Sequence, residues 1–84
     1  MIYHQNEEGT TMSDILIHFN DSLDPQTKAD LEHRVRNQAG VRNASVSRNA
    51  NHLLLVDYDH EVIQSIDILQ SVQKRGFQAQ LIGL

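Results

Sequence analysis

Ile15, Ile17 and Phe19 alternate with Leu16, His18 and Asn20, the period-two pattern of a strand with one dominant apolar face. The period then changes. Asp24-Pro25 reads as a helix start, because the Asp carboxylate accepts from an otherwise unpaired backbone N–H and proline suits the first helical position. Leu31 and Val35 lie four apart on one face of that helix, with Ala39 four further on, and Gly40 is placed to end it. Val41, Ala44 and Val46 precede the polar turn Asn49-Ala50-Asn51, and His52 to Tyr58 is rich in Leu and Val, so these runs are expected to pair as a hairpin. Ser65 is the expected N-cap of a second helix, with Asp67 in its first turn, Ile68, Leu69 and Val72 as its stripe and Gly76 as its stop. Phe77 to Leu84 reads as a last short strand, in which Phe77, Ala79 and Leu81 alternate with Gln78, Gln80 and Ile82.

The order βαββαβ predicts an α+β, ferredoxin-like sandwich: a four-stranded antiparallel sheet, order 4-1-3-2, with two helices on one face. Ahead of it, Met1 to Thr11 show neither period, so residues 1–12 are expected to form a disordered leader and 13–84 the domain, with Met12 a candidate start.

Composition narrows the classes without naming one. The 84 residues carry 7 Lys plus Arg against 11 Asp plus Glu, a formal charge of −4. A surface for nucleic-acid phosphates wants clustered bases, and only Lys28 and Lys74 supply lysine, so no nucleic-acid partner is expected. With no cysteine there is neither a disulfide framework nor a thiolate site. No apolar run approaches the roughly 20 residues of a bilayer span and no signal peptide is evident, so no membrane association is expected and the cytoplasm is the expected location.

Gly40-Val41, Ala44, Val46, Tyr58-Asp59, Ser65, Ile68, Val72 and Gly76-Phe77-Gln78-Ala79 fall in one gapless register. Over Asp14 to Leu84 this resembles the heavy-metal-associated (HMA) domain of copper chaperones and metal-transporting ATPases, with its GV…V.V…YD…S…I…I…GY.A pattern. The resemblance implies the ferredoxin-like fold. That family holds its metal on a GMxCxxC loop between the first strand and helix, and the matching positions here are Asp21, Ser22, Asp24 and Thr27. The chain therefore reads as an HMA-like domain without CxxC. A carboxylate and a hydroxyl are hard ligands that do not replace two thiolates toward Cu(I), so no metal or other cofactor is expected.

His4, His18, His33, His52 and His60 are scattered and show no i, i+4 ligand pair. The inferred topology gathers Asp21, Asp24, His52, Lys74 and Arg75 at one end, where non-thiolate metal-ion handling or anion binding is the alternative; helix capping and helix-dipole pairing account for these residues more simply. If Ile15, Ile17 and Phe19 face the helices, Leu16, His18, Leu53, Leu55 and Ile82 share the uncovered sheet face. A contiguous apolar group there predicts contact with a protein partner or a second copy.

No enzyme is expected. An acylphosphatase, which shares this strand order, needs Gly and Arg in its first loop, whereas Asn20-Asp21-Ser22-Leu23-Asp24-Pro25 is acidic and has neither. The serines lack a nucleophile motif. An RNA-binding sheet needs stacking aromatics where this chain has Leu16, His18, Leu53 and Leu55. The expected function is a non-enzymatic binding or interaction module, with metal-ion transport or a small-ligand regulatory role as alternatives.

Overall fold

A computed structural model describes residues 11–50 and 52–82. Strand β1 spans Met12–Phe19, helix α1 Pro25–Arg36, β2 Val41–Val46, β3 Leu53–Asp59, α2 Ser65–Gln73 and β4 Ala79–Ile82. All pairings are antiparallel in the order β2-β3-β1-β4, the ferredoxin-like sheet, with β1 and β3 at the centre.

The alternation along β1 sorts as its hydrophobicity dictates. Ile15, Ile17 and Phe19 are buried, while Leu16 and His18 on the other face are half-buried. Ala44, Val46, Leu54, Val56 and Tyr58 continue the inner face, and Leu31 and Val35 of α1 with Ile68, Leu69 and Val72 of α2 close over it. One core results, with no buried polar or charged residue among the described ones. Phe77, just before β4, meets Phe19 edge to face at 5.6 Å.

The helix starts follow local chemistry. Thr27 N–H donates to the Asp24 carboxylate at 2.7 Å, and Pro25 opens α1. In α2 the N-cap is Gln64 rather than Ser65, and the Asp67 carboxylate reaches back to accept from Gln64 N–H at 3.3 Å. The expected helix end at Gly40 is corrected: α1 stops at Arg36 with Asn37 as its C-cap, and Ala39 is exposed in the turn beyond. Gly40 has another task. Its φ is +92°, and a Cβ there would stand 2.8–2.9 Å from the Val62 and Ile63 side chains.

Two boundaries also move. β3 starts at Leu53, one residue after His52, and β4 starts at Ala79, after Phe77 and Gln78. Met12 pairs with Asp59, and Thr11 O accepts from His60 N–H at 2.8 Å, so Thr11 and Met12 belong to the fold rather than to a leader. The rest of the expected leader, residues 1–10, and Leu84 lie outside the described residues.

Edge strand β2 is tied to α1. Val46 N–H donates to the Glu32 carboxylate at 2.7 Å, and Arg36 Nε donates to Ala44 O at 3.1 Å. Part of this edge's hydrogen-bonding capacity is thereby taken up, which weakens it as a template for another strand.

Candidate functional site

The first loop runs from Asn20 to Asp24. It is anchored by Asn20 N–H to Gln78 O and Asn20 Nδ2 to Gln78 Oε1, both 3.0 Å, and by the buried Leu23 side chain. Asp21, Ser22 and Asp24 are exposed and Thr27 half-buried in the first turn of α1. The Asp24 carboxylate is engaged by the helix: the Thr27 N–H holds it below its ordinary value of 3.8. One capping carboxylate and one hydroxyl do not make a site for a soft monovalent metal ion. The loop does not fit the metal chemistry that the resemblance implies.

The expected gathering at this end is partial. Asp24, Thr27 and Arg75 line one open depression with Phe77 and the ion-paired Asp30 and Arg34, which lie 2.9 Å apart. Asp21 lines a neighbouring one with Phe19, Leu23 and Gly76. His52 lines neither depression, although its backbone O accepts from Phe19 N–H at 2.8 Å beside the first loop. Its ring stands edge-on to His18, centroids 5.0 Å apart. His60 is engaged with Ser13 through Nδ1 at 2.8 Å, and His33 with Asn37 at 3.2 Å. Among the described residues no three of His, Asp and Glu converge on a point where a metal ion would sit.

The uncovered sheet face is a grid set by register. Leu16 pairs with Leu55 on one side and with Ile82 on the other, so Ile82, Leu16 and Leu55 form a row across three strands, continued by Ser45 on β2. Leu55 is 42% and Ile82 37% exposed. Val62 and Ile66 are also exposed, but they lie around the start of α2, away from this row. In the next row His18 stands between Leu53 and Gln80. His18 Nδ1 is closed off from solvent and has no hydrogen-bond partner among the described residues.

On the opposite side of the apolar row, Asp14 pairs with Asp57. A hydrogen bond to Asp14, aided by partial burial and by the repulsion of the Asp14 charge, holds the Asp57 carboxyl above its ordinary 3.8. Sequence reading missed this pair, and it missed the contact of His18 with His52. The available signal was the β1–β3 register: fixing Leu16 opposite Leu55 forces Asp14 opposite Asp57 and His18 opposite Leu53, next to His52.

No family model matches the chain, and no curated protein matches it. Among solved structures it is similar to the crystal structure of a copper binding domain from HMA7, a P-type ATPase, with a TM-score of 0.73 and 23% identity, covering 83% of this chain and 93% of that one. That likeness establishes the fold, including the strand order and the two-helix layer.

Proposed function

We propose that this chain is a non-enzymatic interaction module that works through its uncovered sheet face. One observation carries the reading: the Ile82–Leu16–Leu55 row, flanked by Leu53, is apolar, contiguous and not covered by either helix. Burial of such surface is worth about 25 cal/mol per Å², and single exposed apolar residues need no partner whereas a contiguous group does. Copper binding is what the solved neighbour's name describes, but here the loop positions are occupied by Asp24 and Thr27, of which Asp24 caps a helix. Among the described residues no acid, base and nucleophile converge to support catalysis.

The reading is tested by replacing Leu55, and separately Gln70 on the exposed side of α2, with the photo-cross-linking residue benzoylphenylalanine in the full chain inside its native cells. Intermolecular adducts from position 55 and not from position 70 are the expected result. Equal adducts from both positions, no adduct, or cross-links from 55 only to residues 1–10 of the same chain would overturn it.

A further inference from the structure

The rows on either side of the apolar row are not alike. Two residues along a strand span about 6.6 Å, so the Asp14–Asp57 row and the row holding His18 are each about that far from the Leu16–Leu55 row, on opposite sides. One end of the face therefore presents carboxylates. The other presents the His18 imidazole between Leu53 and Gln80, with the His52 ring packed against it.

We propose that the occupant of this face is a second copy of the chain, stacked sheet on sheet about a two-fold axis that lies in the interface and runs across the strands, along the Ile82–Leu16–Leu55 row. The proposal rests on the reading of the face as a contact surface. It follows from how an isologous contact maps a face onto itself. A two-fold axis running along the strands would lay Asp14 and Asp57 of one copy over the same carboxylates of the other, and like charges facing one another across an interface oppose association. An axis running across the strands reverses the strand direction of the second copy. It superposes Ile82, Leu16 and Leu55 on their own counterparts and separates the carboxylates, with Asp14 above the partner's His18 and Asp57 above the partner's Leu53. The His18 ring of each copy then faces the Asp14 carboxylate of the other, one such pair at each end of the contact. Aligned sheets pack about 10 Å apart with strand directions within about 30°, a spacing that leucine side chains from both sides fill. The partly capped β2 edge points the same way, since strand addition there competes with the Glu32 and Arg36 bonds.

The test uses sedimentation equilibrium on the full chain and a charge-segregated pair of variants, both checked for native circular dichroism. Wild type is expected to dimerise. His18→Asp alone sets carboxylates over carboxylates and is expected to weaken the dimer about tenfold or more; the double variant Asp14→Lys, His18→Lys sets ammonium groups over ammonium groups and is expected to do the same. Mixing the two is expected to restore a one-to-one heterodimer, because position 14 of each then faces an opposite charge at position 18 of the other. An axis along the strands pairs position 14 with 57 instead, so the double variant, with the new ammonium at position 14 over the partner's Asp57, would dimerise by itself and mixing would add nothing; that result overturns the geometry. A wild type that stays monomeric at millimolar concentration overturns the second copy as occupant. If Leu55 then cross-links a different protein in cells, the contact reading survives that failure; if it cross-links nothing, both fall together.

Discussion

Asp14 and Asp57 stand directly opposite on the two central strands, and like charges so placed oppose strand pairing. Removing one charge should therefore help the fold: Asp57→Asn is expected to raise stability at pH 7 by about 0.2–1 kcal/mol, read from urea denaturation. The sign of the pH dependence follows from the raised Asp57 carboxyl. Its protonated form is the one the fold favours, a contribution complete below the ordinary 3.8 and lost as pH rises through the raised folded value. The advantage of Asp57→Asn should shrink accordingly on acidification, and an advantage that stays constant from pH 7 to pH 3 would mean the two carboxylates do not meet. Asp24 has the opposite sign. Its carboxyl is lowered, so the cap is fully effective above 3.8 and fails as pH falls through the lowered folded value. The cap was legible in Asp24-Pro25 because capping is a local bond between neighbours. The Asp14–Asp57 pair was not, because it exists only once two strands distant in sequence have chosen a register.

At the scale of elements, the two glycines with positive φ separate two costs. Gly76 has φ +98° and open space within 4 Å of where a Cβ would stand, so Gly76→Ala carries backbone strain alone, about 1–2 kcal/mol. Gly40→Ala adds a collision with Val62 and Ile63 at 2.8–2.9 Å and is expected to cost about 1–3 kcal/mol more. Equal urea midpoints for the two variants would show that the Val62–Ile63 segment yields without penalty. The sequence marks both glycines as punctuation, and for Gly76 the punctuation is a helix exit. For Gly40 it misleads: the helix ends at Asn37, whose backbone N–H bonds back to His33 O and Val35 O, and the glycine serves the packing of the β3–α2 connection. Apolar periodicity does not report such an approach, since it records which residues are buried and not which backbone they press against. His52 shows the same limit. It sits one residue outside β3, where alternation no longer dictates direction, and its ring meets His18.

For the whole molecule, strand order and helix layer were readable because each element announces its own period and short connections leave few topologies. Function was less legible, since Asp24 of the first loop is occupied in capping α1 and so announces the helix rather than a ligand. Titration of Cu(I) against a competing chelator is expected to give no stoichiometric uptake, and tight one-to-one binding would overturn the account of the first loop. The sheet order carries one further consequence. Central β1 takes its neighbours from β3 and from β4, so Leu16 waits for Leu55 on one side and for Ile82 on the other, whereas β2 and β3 need only close a short turn. Local pairs form sooner than distant ones because loop closure costs more as the intervening chain grows. On the ribosome, then, the strand made first is the last to be enclosed. Until β4 has left the exit tunnel β1 keeps a bare edge, and over that interval the nascent chain depends on chaperones or on speed to avoid pairing with the wrong neighbour.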